Sequence, residues 1–312
     1  MKSRELNRIK ILFIIFVILF GGVLFVKLNK KEYINPDYAK KILEKISAFT
    51  ETETLKITFV NQYDSKIIIV RQNDNWVIRD KENYPVEKES IKNFFIELEK
   101  IKRGDLVSEK KENFYKYELE ETQVTSIILE SAKDKIHVIV GKRGSYAGSN
   151  YIRIKEEPYA LLVPSSLKMF TDKTLREWYK KQITDFNPRE ITEYKLSKDQ
   201  KEIFYSIRMD TGWNIVVNEV KKDTQSLQVA IEALSLLRAM DVYVGDELSL
   251  TEAELDKPLY TIQFKSVAGR DTIYIGKEIE TVRYIKLDSI KNIIFKVSNY
   301  TIKQIILKEN PR

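Results

Sequence analysis

Four groups of residues have types and spacings that chemistry could use. Ser165-Ser166-Leu167-Lys168 matches S-x-x-K, in which one helical turn brings a lysine amine to a serine nucleophile. That mechanism also needs a K-T-G strand. The chain offers Lys173-Thr174-Leu175, which lacks the glycine and sits in a helical pattern, so the serine pair is expected to cap a helix beside a surface lysine. His137 is the only histidine, which removes two-histidine metal sites and H-E-x-x-H hydrolysis. It stands between Ile136 and Val138, and no G-x-S-x-G elbow accompanies it, so a half-exposed strand position is expected rather than a triad. The loop from Gly141 to Asn150 is the most suggestive. Its glycines could turn backbone N–H groups toward an anion, with charge from Lys142 and Arg143. Lys142, Arg143, Gly144, Ser145, Tyr146 and Gly148 are the candidate ligand or partner contacts, and an ordinary hairpin loop is the plainer alternative. Carboxylates are interleaved with lysines, as in Glu109-Lys110-Lys111-Glu112, which is the pattern of a solvated face. Spacing alone nominates no catalytic residue, metal site or cofactor.

The elements that would position these residues repeat. Trp76-Val77-Ile78 answers Trp213-Asn214-Ile215, and Leu119 answers Leu255. Val140-Gly141-Lys142 answers Ile275-Gly276-Lys277, and Tyr151–Ile154 answers Tyr284–Leu287. The offset drifts from 137 to 133, as loops losing a residue or two would produce. In the first copy, strands are expected at 55–60, 66–71, 76–79, 124–130, 136–140, 151–154 and 160–163. A helix is expected over 86–101, with Ile91, Phe94, Phe95, Leu98 and Ile101 on one face. In the second copy, strands are expected at 193–196, 202–209, 213–217, 259–265, 272–275, 284–287 and 293–297. The matching helix covers 226–240, with Leu227, Ala230, Ile231, Leu234 and Leu237 inward, and a last helix begins near Asn299. Runs of strands without intervening helices argue for an antiparallel α+β fold and against a doubly wound sheet with its cofactor crevice.

Ahead of these copies lies ILFIIFVILFGGVLFV, from Ile11 to Val26. Extended over 9–28 it would span roughly 30 Å as a helix, the hydrocarbon thickness of a bilayer. It is longer than a signal-peptide core, and no A-x-A-like cleavage site follows. A transmembrane anchor is expected, with Ile11, Phe16, Gly21, Gly22 and Val26 facing lipid or another membrane helix. The basic N-terminal end should stay inside, which places the bulk of the chain outside the cytoplasm. The expected divisions are a cytoplasmic end 1–8, an anchor 9–28, a stem and helix 29–50, and α+β repeats 51–187 and 188–312. The two boundaries fall at Asn35-Pro36 and Phe186-Asn187-Pro188.

Composition narrows the function. The formal charge is +7, but +6 of it lies within residues 1–31, where seven cationic side chains face only Glu5. The remainder carries +1, so no nucleic-acid partner is expected. With no cysteine, disulfides, thiolate metal sites, cysteine nucleophiles and lipoprotein acylation are all excluded.

Three stretches resemble the bacterial domain-of-unknown-function 4340 family. They are Trp76…Tyr84-Pro85…Ile91–Ile101; the pair Tyr117-Glu118-Leu119…Gly141-Lys142 and Leu255-Asp256-Lys257-Pro258…Gly276-Lys277; and Leu175-Arg176-Glu177-Trp178…Ile183-Thr184-Asp185-Phe186. Glu118 stands where the family pattern has glycine, and Thr122 where it has proline. The resemblance implies a membrane-anchored protein working beside an ABC-type permease or another envelope protein, including gliding-motility-type export systems. It implies no catalytic residues. The expected function is a non-catalytic binding or assembly module, and the alternative is an envelope hydrolase with a site in the cleft between the repeats.

Overall fold

The computed structural model describes residues 36–308 except 62–64, 122–124 and 268, together with Phe16, Leu19 and Phe20. Helix α1 (Pro36–Ser47) leads into a first antiparallel sheet. Its strands are β1 (Thr54–Val60), β2 (Lys66–Gln72), β3 (Asn75–Ile78), β4 (Tyr84–Pro85), β5 (Asp105–Ser108), β6 (Thr125–Ser131), β7 (Lys135–Arg143), β8 (Asn150–Ile154) and β9 (Ala160–Val163). Helix α2 (Lys88–Lys100) intervenes before β5, and the short helices α3 (Lys168–Thr171) and α4 (Leu175–Trp178) follow β9. A second antiparallel sheet comprises β10 (Glu193–Lys198), β11 (Lys201–Met209), β12 (Gly212–Asn218), β13 (Asp241–Val244), β14 (Tyr260–Ser266), β15 (Gly269–Ile275), β16 (Val282–Leu287) and β17 (Ile293–Ser298). Here α5 (Thr224–Ser235) precedes β13, and α6 (Asn299–Ile305) closes the described chain.

The two sheets have the same strand order. The first runs β4-β3-β2-β1-β6-β7-β8-β9-β5 and the second β12-β11-β10-β14-β15-β16-β17-β13, so the second lacks only a counterpart of β4. Their registers also coincide. Trp76 lies opposite Arg71, and Trp213 opposite Arg208. Ile57 faces Leu129 as Tyr194 faces Phe264. Val140 faces Ile152 as Ile275 faces Ile285. Because a one-residue slip would turn every side chain to the other face, shared register means shared inner faces.

The Gly-Lys pairs are explained by close backbone approach. A Cβ on Gly141 would lie 2.2 Å from the Tyr117 carbonyl oxygen, and one on Gly276 would lie 2.6 Å from that of Ala253. In both places the chain crossing the glycine turns through a left-handed residue, Glu118 or Glu254, each at φ 56°. That conformation is cheapest for glycine, yet both positions carry glutamate.

Helix α2 buries Ile91, Phe94, Phe95 and Leu98, and α5 buries Leu227, Ala230, Ile231 and Leu234, matching the expected faces. Asp223 accepts from the Ser226 N–H at 2.8 Å and starts α5. Both helices lie in one hydrophobic cluster that includes residues of both sheets.

Several expectations need correction. The helix expected over 226–240 ends at Ser235, and the chain then forms β13. Strands β4 and β5 were not expected: β4 has only two residues, and β5 opens on an exposed aspartate and fully buries only Ser108. Neither Ser165 nor Ser166 caps a helix; α3 begins after Leu167.

Most of the expected 9–28 span lies outside the described residues, including Ile11, Gly21, Gly22 and Val26. Phe16, Leu19 and Phe20 are helical and exposed, and the Phe16 and Phe20 rings stack 5.7 Å apart. Among the described residues, no helix is long and apolar enough to cross a membrane.

Candidate functional site: the seam between the sheets

The segment from Trp178 to Thr184 ties both halves together through its backbone. Trp178 is fully buried and stacks on Phe59 at 4.6 Å. The Glu87 N–H donates to the Trp178 carbonyl, and the Lys180 N–H to the Pro85 carbonyl, each at 2.8 Å. One turn later the segment changes partners. The Ala239 N–H donates to the Lys181 carbonyl at 2.8 Å, and the Ile183 N–H to the Leu237 carbonyl at 2.9 Å. These bonds satisfy backbone groups that would otherwise be stranded in the interior between the two sheets.

Charged and phenolic side chains fill the space beside this segment. Glu247, on the turn after β13, has a side chain only 12% exposed. It accepts from Lys81 Nζ at 2.7 Å and from the Tyr179 hydroxyl at 3.0 Å, and Arg176 Nε lies 3.6 Å away. Burial pushes the Glu247 carboxyl up, but the bonds from Lys81, Tyr179 and the Val244 N–H outweigh it and hold it below its ordinary value. Burial also drives both Tyr84 and Tyr179 far above the usual phenol range, helped by Glu87 and Glu247 respectively. Tyr84 donates to the Lys180 carbonyl at 2.9 Å, and the two phenol rings meet edge-on at 5.2 Å. Arg238 pairs with Glu87 at 2.8 Å, and Arg176 covers the Tyr243 ring at 4.2 Å.

Next to this cluster lies an open cleft of about 850 Å³, lined in part by Arg176, Glu177, Lys181, Asp241, Glu247 and Lys296. Its carboxylates are engaged. Glu177 accepts from the Thr174 N–H and hydroxyl, both at 2.7 Å, and Asp241 from the Val242 N–H at 2.9 Å. The bonds from the Thr174 hydroxyl and N–H hold the Glu177 carboxyl below its ordinary value, as those to Glu247 do there. The arrangement fixes two sheets relative to one another and presents a surface of mixed charge.

The residues singled out from sequence lie elsewhere. The Ser165 hydroxyl is buried and donates to the Glu97 carbonyl at 2.7 Å, while Lys168 Nζ lies 3.9 Å from Asp172. His137 is half-buried on β7, 2.9 Å from the Ser126 hydroxyl; burial, then Lys155, lowers its pKa. Lys142 and Arg143 end β7, exposed. Gly144, Ser145, Tyr146 and Gly148 form the turn to β8, in which the Gly144 N–H donates to the Ser149 carbonyl at 2.9 Å. Gly148 takes φ 74°, and Tyr146 is exposed. None of these residues lines the seam cleft. Among the described residues, no group of His, Asp and Glu side chains could hold a metal ion.

The model of the family described as Domain of unknown function (DUF4340) matches residues 76–258, more than half of the sequence. The chain belongs to this family. The DUF4340 match begins on β3, ends just before β14 and takes in the seam residues named above except Phe59 and Lys296. No curated protein and no solved structure matches the chain. The seam was not found from sequence because Lys81, Glu87, Arg176, Tyr179, Arg238 and Glu247 share no spacing. The available signals were two stretches of the DUF4340 resemblance, Tyr84-Pro85 and Leu175–Phe186, which meet in the segment Trp178–Thr184.

Proposed function

We propose that this chain is a non-catalytic binding or assembly module, anchored by its N-terminal apolar segment and held outside the cytoplasmic membrane. In this reading its two α+β halves are tandem copies of one unit, and its partner is an ABC-type permease or another envelope protein of a transport or gliding-motility-like export system. The observation that carries the non-catalytic part is the seam. The carboxylates of its cleft are tied to lysine, arginine, tyrosine or backbone N–H groups, which suits clamping rather than turnover. Phe16, Leu19 and Phe20, helical and exposed within the Ile11–Val26 apolar run, support the anchor. Two related halves would give two related surfaces, raising the effective concentration of any contact made beside the bilayer.

The test is mild crosslinking in intact membranes, followed by purification of the full chain. Recovery of a permease or another envelope protein is the expected result. Recovery of the chain alone would count against assembly. Protease added to spheroplasts should trim residues 36–308, and protection of that region would refute the proposed topology.

A further inference from the structure

Four strands end the two sheets, and three of them are covered or cut short by other parts of the chain. β4 is two residues long, contains Pro85, and is followed by the bridge between Val86 and Tyr179. α1 packs against β5, and α4 against β13. The fourth is β12. Among the described residues it pairs with β11 alone.

The first sheet shows what is missing. There the chain between β3 and α2, residues 79–87, turns back as β4, with Pro85 opposite Val77 and Tyr84 opposite Ile78. Between β12 and α5 only residues 219–223 remain, too few to return as a strand and still reach the helix. The consequence shows in burial. Trp76, Val77 and Ile78 are buried, whereas Trp213, Ile215 and Val217 are only half-buried and Val216 is 55% exposed.

Open edges are normally blunted by lysine, proline, an inward-facing charge or a β-bulge. Gly212-Trp213-Asn214-Ile215-Val216-Val217-Asn218 contains no lysine, proline or charge, and a single bulge is its one such device. Its single irregularity is Val216, an extra residue relative to β11. The strand is also self-complementary. Reversed against itself about Ile215, it places Trp213 opposite Val217 and Asn214 opposite Val216. An apolar row then meets an apolar row with no like charges, the arrangement that favours cross-strand pairing. The segment that covers the equivalent edge in the first sheet, Tyr84-Pro85-Val86, is uncharged as well.

We propose that β12 is an interaction edge for a second copy of this chain, the two β12 strands pairing antiparallel about a two-fold axis near Ile215. This does not rest on the anchor or the permease. One strand from each copy is a small interface, so covalent capture reads it better than mass in dilute solution.

The native chain has no cysteine, so single-cysteine variants of the full chain give a clean background. Ile215→Cys should form a crosslinked homodimer with a short thiol-reactive linker at least about tenfold more efficiently than Val267→Cys. The control residue is 76% exposed on the β14–β15 turn. Adding Asn214→Lys and Val216→Lys, both at exposed positions, brings like charges across the axis and should abolish that dimer while the melting curve stays unchanged. Equal crosslinking of the two single-cysteine variants would overturn the proposal. So would persistence of the dimer with both lysines present, or capture of a different protein by the Ile215→Cys thiol in place of a second copy.

Discussion

Replacing Glu247 with glutamine keeps the shape of the seam and removes its central charge. The carboxylate accepts from Lys81 at 2.7 Å and Tyr179 at 3.0 Å. Hydrogen bonds to a charged group contribute about 1.5–3 kcal/mol. Lys81 and Arg176 are 30% and 40% exposed, so solvent screens part of their attraction. Glutamine can still accept from one donor, and the net loss at neutral pH should be about 1–2 kcal/mol. In a chain of this size that lowers the melting temperature by about 2–3 °C. The pH dependence gives the sharper signature. The Glu247 pKa is depressed from 4.5, so its contribution is complete above that value and is lost as pH falls through the depressed one. Wild type and Glu247→Gln should therefore differ by a constant amount from pH 8 to 5 and converge in more acid solution. Thermal melts of the full chain followed by far-ultraviolet circular dichroism measure this, and adding Lys81→Met completes a double-mutant cycle. Identical melts at pH 7, a gap unchanged in acid, or zero coupling to Lys81 would refute the clamp.

Gly141→Ala should destabilise by about 1–3 kcal/mol, because the new methyl meets backbone that cannot swing away. Gly276→Ala should act in the same direction but less, and denaturant titration ranks the two. Ser165→Ala should cost about 1 kcal/mol through the lost bond to the Glu97 carbonyl, and a serine-reactive phosphonate probe should label neither wild type nor variant. His137 should titrate below 6.5 by NMR. The folded state binds its proton less readily than the unfolded chain does, so this residue disfavours folding as pH falls below 6.5.

Much of the fold was legible in the sequence because its strands are long enough to alternate and its two main helices carry one apolar face each. The pairing of Val140-Gly141-Lys142 with Ile275-Gly276-Lys277 was visible for a steric reason, since only glycine tolerates the crossing carbonyl. β4, β5 and β13 were missed because their residues are chosen by neighbours distant in sequence. Tyr84-Pro85 is a strand only because Trp76-Val77-Ile78 lies beside it and Tyr179 bonds beyond it. The seam is a tertiary assembly in the same sense. Lys81 and Glu247 meet across most of the chain, and no local pattern announces such a pair. Ser165-x-x-Lys168 matched a catalytic spacing, yet its hydroxyl was already committed to Glu97.

The strap from Trp178 to Thr184 belongs to both halves at once, and this decides how the molecule can be cut. A fragment ending before the strap would leave Tyr84 and Phe59 without their covers, and one beginning after it would bare Leu237. Neither piece should survive alone, so heat ought to melt the pair in one cooperative step. A force applied to one half would reach the other through the backbone bonds of this short segment.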